Sequence, residues 1–191
     1  MPEIATGIEL TIRTAREDEI GWISEFYRRE PYLYLDGGHD PDGRPASETY
    51  TKAKDAYRNR LRRGEKCFLA FAGPELAHIN WLCFTFGEEP VPGKRILLKP
   101  HECYTTDAIT LDGFRGKNIH AQVLAEMLRA GAAAGCHTAY TVTNIEHRAS
   151  FKAFEQLGWQ ILGRLLCFSP RRPGHARLIR LGGSIEPLLR Q

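Results

Sequence analysis

Asp107-Ala108-Ile109-Thr110-Leu111-Asp112-Gly113-Phe114-Arg115-Gly116-Lys117-Asn118-Ile119-His120 is the stretch on which the reading of this chain turns. Its first part closes a run, Glu102–Leu111, rich in Thr, Tyr and Ile, which reads as a strand. Asp112 to Lys117 is a turn that feeds straight into a helix. That helix carries Ile119, Val123, Leu124, Met127 and Leu128 on one face and Gln122, Glu126 and Arg129 on the other, and Gly135 stops it. Thr138–Val142 is the next strand. A strand, a helix and a second strand at this spacing form a βαβ unit with parallel strands and a right-handed crossover. The turn has its own chemistry. A helix N-terminus exposes unpaired amides and a positive dipole end. Arg115 and Lys117 add two cations, and Gly116 lets the backbone bend close to a ligand. A pyrophosphate suits such a turn; a basic loop without a ligand is the alternative.

Outward from this unit the elements alternate in a definite order. Ile8–Arg13 reads as a strand, and a helix opens near Asp18 with Ile20, Ile23, Phe26 and Tyr27 as its stripe, ended by Pro31. Residues 31–46 read as a loop with unusually apolar members, Tyr32 to Leu35. Ser47 caps a second helix bearing Tyr50, Ala53, Tyr57 and Leu61, closed by Gly64. Lys66–Ala72 and Leu76–Phe86 pair as a hairpin across Gly73-Pro74, and Glu88–Lys94 reads as a turn-rich gap. After the βαβ unit come a helix over His147–Leu157, with Phe151, Phe154 and Leu157 inward, and two strands, Trp159–Phe168 and Ala176–Leu181. The expectation is one domain over residues 1–191, of mixed α/β (α+β) class, with a mostly antiparallel sheet of about seven strands and helices on both faces.

Composition narrows the setting. With 191 residues, 42% hydrophobic and 26% charged, the chain can bury a sizeable core and is not of disordered composition. Met1-Pro2-Glu3-Ile4 has neither a basic region nor an apolar run, so no signal peptide is expected, and no stretch is apolar enough for a membrane span. Five isolated cysteines, Cys67, Cys83, Cys103, Cys136 and Cys167, include no C-x-x-C pair, so neither a zinc site nor a disulfide framework is expected, and no metal. Four of them sit in strand-like apolar runs. The cytoplasm fits this usage. The net charge is +3, and the arginine groups Arg58, Arg60, Arg62, Arg63 and Arg164, Arg171, Arg172, Arg177, Arg180 read first as solvated faces, with an anionic ligand as the alternative. Nucleic-acid binding is not expected.

Residues 102–159 resemble the GNAT N-acetyltransferase superfamily, on two motifs. Arg115-Gly116-Lys117-Asn118-Ile119-His120 lies on the family's Q/R-x-x-G-x-G/A acetyl-CoA motif. His147-Arg148-Ala149-Ser150, followed by Phe154-Glu155-Gln156-Leu157-Gly158-Trp159, lies on its second motif, an Asn-x-x-Ala/Ser followed by Tyr or Phe and Glu-x-x-Gly-Phe. The resemblance implies an acyl-CoA-dependent N-acyltransferase. It would move acetyl, or another acyl group, from CoA to an amine of a small molecule or peptide by direct attack. It implies that pantetheine pairs with backbone near Ile109 and Leu111, that amides over 115–120 (Arg115, Gly116, Lys117, Asn118, Ile119 and His120) hold the pyrophosphate, and that His147 and Phe154 border the cofactor. It also implies a general base near Asp107. A homodimer is left open, and the rival reading is a GNAT-like module that binds acyl-CoA or an acyl carrier without chemistry.

Four departures carry weight. Asn118 and His120 stand where the family prefers Gly and Gly or Ala, and His147 stands in place of Asn. His120 either donates to a phosphate oxygen or crowds the pyrophosphate; the first is the expectation. Phe154 occupies the place of a Tyr that protonates the leaving thiolate, and phenylalanine has no proton to give. Around these, Tyr104 reads as core, and Asp107 reads alternatively as a structural strand-edge carboxylate. His101 and Glu102 are minor candidates, and His78 and Asn80 read as a satisfied polar pair at a sheet edge. Tyr32, Tyr34, Asp36, His39 and Asp40, with the loop Pro170–His175, are expected to border the acceptor.

Overall fold

The structure, a computed structural model, describes residues 7–29, 46–91, 94–168, 177–183 and 189–190. In chain order the elements are β1 (Thr11–Thr14), α1 (Ile20–Arg29), α2 (Ala46–Arg62), β2 (Lys66–Ala72), β3 (Glu75–Cys83), β4 (Phe86–Val91), β5 (Lys94–Leu97), β6 (Glu102–Thr110), α3 (Ile119–Ala133), β7 (Thr138–Tyr140), α4 (Arg148–Gln156), β8 (Gly163–Phe168), β9 (Arg177–Gly183) and β10 (Leu189–Arg190).

Side-chain alternation along the strands builds two cores, one on each face of the main sheet. On one face Phe68, Ala70 and Leu82 meet Ile119, Val123, Leu124 and Met127 of α3 and Phe154 of α4. On the other, Cys67, Leu69, Ile79 and Trp81 meet Ile23, Phe26 and Tyr27 of α1. The stripe expected on α1, and that on α3 from Ile119 to Met127, are therefore buried. The main sheet runs β1-β2-β3-β6-β7. Every pairing in it is antiparallel except β6 with β7, which is parallel, as the βαβ reading requires. Gly131 of α3 lies so close to the sheet that a Cβ there would stand 3.2 Å from the Cys103 sulfur.

The strand count differs from expectation. The main sheet has five strands, and β8 and β9 form a separate antiparallel pair. The segment read as a turn-rich gap instead holds the β4–β5 hairpin, and β10 joins its edge. Gly and Pro in that segment mask the strand signal, because both residues are usual turn formers. The expected first strand is shifted: Ile8 and Leu10 pack on the core ahead of β1. The last helix begins at Arg148, and regular structure resumes at Gly163, leaving Ile161 exposed.

Candidate functional site

The geometry of β6 sets the site. It pairs with β7 over only three registers, Glu102–Thr138, Cys103–Ala139 and Tyr104–Tyr140. The Thr141 hydroxyl then donates to the Thr105 carbonyl at 3.0 Å, where the strands part. Beyond that point β6 continues to Thr110 while β7 has ended. That leaves the edge of β6 beyond Thr105 without a strand partner on the β7 side among the described residues, a candidate cleft.

A bulge interrupts β6 inside the cleft. Thr106 lies opposite Trp81 and Ile109 opposite Ile79, so β6 takes three steps where β3 takes two. The extra residue falls at Asp107, whose φ is 55°, an uncommon conformation for a non-glycine residue. Further on, Leu111 donates its amide to the Ala77 carbonyl at 3.0 Å and accepts from the Phe114 amide at 2.9 Å. Its N–H is thus taken by the sheet. Alternate residues point their backbone groups to opposite strand edges, so Thr110 faces the cleft side. Accordingly its carbonyl accepts from Arg115 Nε at 3.0 Å.

The turn follows from that contact. Arg115 pairs with Asp112 at 2.5 Å, and Lys117 Nζ donates to the Gly113 carbonyl at 3.0 Å. Gly116 has φ 76° and Asn118 φ 62°, both left-handed. The turn leads into α3, whose first amides, those of Ile119, His120 and Ala121, have no preceding turn to bond to. A cationic turn and a helix start fit a diphosphate.

His120 does not reach that diphosphate position. Its ring turns inward, 5.4 Å from the ring of His78 and 5.7 Å from that of Phe154. Both ring nitrogens are buried without a partner among the described residues. Burial lowers its pKa to about 4, so the imidazole is neutral. The backbone at 120 still belongs to the turn; the side chain belongs to the core. His78 is fully buried on β3, a central strand, and only its Nδ1 is bonded, to Thr110 Oγ1 at 2.7 Å. Its Nε2 and Asn80 Nδ2 have no partner among the described residues. The expected satisfied pair at a sheet edge is therefore satisfied only in part, with Asn80 Oδ1 accepting from the Trp81 amide at 2.9 Å, and it lies on a central strand.

Behind the bulge sits a network that the sequence reading missed. Arg60 of α2 is 4% exposed and pairs with Glu65 and with Asp107 Oδ2, each at 2.6 Å. Its guanidinium lies 4.0 Å over the Trp81 ring. Trp81 Nε1 donates to the Tyr27 hydroxyl at 3.0 Å, and that hydroxyl donates to the Asp107 carbonyl at 3.3 Å. Burial, then the Asp107 charge, pushes the Tyr27 phenol well above its ordinary pKa. Arg60 is thus not part of a solvated face, unlike Arg58 and Arg62, which pair with exposed Asp55 and Glu17. A signal existed: position 60 falls three residues after Tyr57 and seven after Ala53, on the apolar stripe.

The remaining candidates separate. Phe154 is buried against Trp159, while His147 is exposed at the start of α4. Glu102 accepts from the Tyr140 hydroxyl and the Lys99 amide, and His101 bonds the Gly135 carbonyl, both structural roles. Among the described residues no group of three or more His, Cys, Asp or Glu could hold a metal. Tyr32, Tyr34, Asp36, His39, Asp40 and the loop Pro170–His175 lie outside the described residues.

No protein-family model and no curated protein matches the chain. Solved structures do. An aminoglycoside N-acetyltransferase in complex with CoA superposes with a TM-score of 0.60 at 18% identity, covering 89% of this chain and 100% of that one. A predicted acetyltransferase from Clostridium acetobutylicum, solved with acetyl-CoA, gives 0.55 at 16% identity over 80% of this chain and 91% of its own. A transcriptional regulator from Bacillus halodurans gives 0.59 at 19% identity over 83% and 97%. The chain shares its fold with these proteins.

Proposed function

We propose that this chain, as a single domain over residues 1–191, is an acyl-CoA-dependent N-acyltransferase that passes acetyl from acetyl-CoA directly to an amine. The observation that carries the reading is the parting of β6 from β7, which leaves strand backbone facing a cleft that ends at a basic, amide-rich helix start. That arrangement suits a long ligand with an amide-bearing arm and a diphosphate. Fold neighbours solved with CoA and acetyl-CoA support the same ligand. An aminoglycoside N-acetyltransferase among them supports a small-molecule amine as acceptor. No helix among the described residues is long and apolar enough to cross a membrane. A cytoplasmic setting is part of this proposal and rests on the isolated cysteines of the sequence.

In this reading the amides of 116–120 hold the diphosphate, with Arg115 and Lys117 supplying charge. The bulge at Asp107 turns backbone toward the thioester carbonyl, where an N–H stabilises the developing oxyanion. Asp107, with Oδ2 fixed by Arg60 and its side chain 32% exposed, takes the proton of the attacking amine directly or through water. Arg60 holds the carboxylate in place and acts through it.

Calorimetry with acetyl-CoA tests the assignment. Arg115→Glu with Gly116→Val places a negative charge beside the diphosphate and a β-branched residue at φ 76°. Binding is expected in the wild type and abolished in the double variant; undiminished affinity there sinks the site. Binding without turnover of any amine in a broad panel would mark a carrier module instead.

A further inference from the structure

Cys103 and Cys136 are distant in sequence and adjacent in the fold. Cys103 lies on β6, paired with Ala139 of β7, and is 2% exposed. Cys136 lies in the turn between α3 and β7 and is half-buried, so solvent reaches it. Backbone bonds pin that turn against the start of β6. The Cys136 amide donates to the Gly131 carbonyl at 2.9 Å, and the His137 amide to the His101 carbonyl at 2.8 Å. Gly131, which has no side chain, leaves room that both cysteines share. The place its missing Cβ would take is 3.2 Å from Cys103 Sγ and 3.9 Å from Cys136 Cβ. Burial holds the Cys103 thiol well above its ordinary pKa, and the Cys136 thiol adds to this by its charge and by hydrogen bonding. Two thiols that act on each other so directly can meet after a change of rotamer. Cys67 and Cys83 are also buried, on β2 and β3, but no second thiol among the described residues acts on either.

We propose that Cys103 and Cys136 form a peroxide-responsive dithiol, which closes to a disulfide and fastens β6 to the turn between α3 and β7. The oxidant is a hydroperoxide, and Cys136, the thiol that solvent reaches, meets it first. The Cys136 thiolate attacks one peroxide oxygen. The oxygen–oxygen bond breaks, and the departing hydroxide takes a proton and becomes water. Cys136 is left as a sulfenic acid. The Cys103 sulfur then attacks the Cys136 sulfur. A sulfur–sulfur bond forms, the sulfur–oxygen bond breaks, and hydroxide leaves with the Cys103 proton as a second water. The two sulfurs lose two electrons, and the peroxide gains them. A thiol reductant reverses the closure by exchange. Such a pair is a reversible bond and not the structural framework that the isolated cysteines argue against. Cys103 stands two residues before Thr105, where β6 and β7 part, so the bond fastens the closed end of the fork. Nothing in this chemistry depends on acyl transfer.

The experiment treats the folded chain with hydrogen peroxide and counts its free thiols after unfolding. In protein that runs as one chain on a non-reducing gel, the count should fall by two from five, and dithiothreitol should restore it. Trypsin cuts between the two cysteines at Arg115, Lys117 and Arg129, so the bridge should appear as two joined peptides. A 1,3-diketone that captures sulfenic acid separates the two chemical steps. In Cys103→Ser it should label Cys136, which then has no thiol to close with; in the wild type that label should be lost. If Cys103→Ser does not fold, Cys103→Ala enters the same comparison. Cys136→Ser should keep every remaining thiol, because Cys103 is buried. A count that stays at five, a bridge that joins any other cysteine, or equal labelling of the wild type and Cys103→Ser overturns the dithiol.

Discussion

Asp107 holds three uncommon features at once: a left-handed backbone, a place in a strand bulge, and a carboxylate shared with a buried arginine. Asp107→Asn keeps the shape and removes the charge. Turnover is expected to fall by roughly 10²–10⁴ with little change in CoA affinity, as for loss of a general base. A variant that is folded by circular dichroism yet retains near-normal turnover and pH profile would assign the base elsewhere. The two buried histidines make a separate prediction. Their pKa values in the folded protein lie below the ordinary 6.5, so the unfolded chain protonates first as pH falls. Stability is therefore complete above about pH 6.5 and declines from there toward about pH 4, by up to about 1.4 kcal/mol per unit for each histidine. Urea midpoints at pH 7.5, 6 and 5 check this. A midpoint that stays level across them would refute it, and His120→Phe should flatten the slope.

At the scale of elements, α3 depends on how it starts. Asn118 precedes it in the left-handed region, which Asn tolerates better than most residues. Asn118→Gly should leave stability and CoA affinity nearly unchanged, whereas Asn118→Val should cost roughly 1–2 kcal/mol and weaken CoA binding together with Tm. Equal behaviour of the two variants would mean that the backbone conformation is not what matters. The helices and the βαβ unit are legible in the sequence because their apolar stripes repeat at helical spacing and the intervening turn is marked by Gly and charge. Partition into sheets is not legible: β8 and β9 look like further strands of one sheet, and strand pairing is set by contacts distant in sequence. At the site, the turn into α3 could be read directly because its shape lies in local backbone. The inward rotation of His120 and the burial of Arg60 could not, because each depends on what another element places beside it. His120 is drawn under the sheet by His78 and Phe154, while Arg60 is met by Glu65, Trp81 and Asp107.

Across the whole molecule, Arg60 joins parts that are otherwise separate. It brings α2 into contact with Trp81 of β3, Asp107 of β6 and Glu65 just before β2. Arg60→Met would leave the buried Glu65 carboxylate without its buried cation, with only the more exposed Arg63 still paired to it at 2.6 Å. A loss of about 3–5 kcal/mol is expected for breaking such a buried pair, read as a fall in the urea midpoint. A change below about 1 kcal/mol would mean that the pair behaves like an exposed one. The parting of β6 from β7 has a further consequence, for heredity. A ligand gripped by main-chain groups is read through φ, ψ and register, which many side chains can satisfy. In the proposed grip, mutation can rewrite most of the letters along β6 while the backbone outline persists, and the fold neighbours share that outline at 16–19% identity.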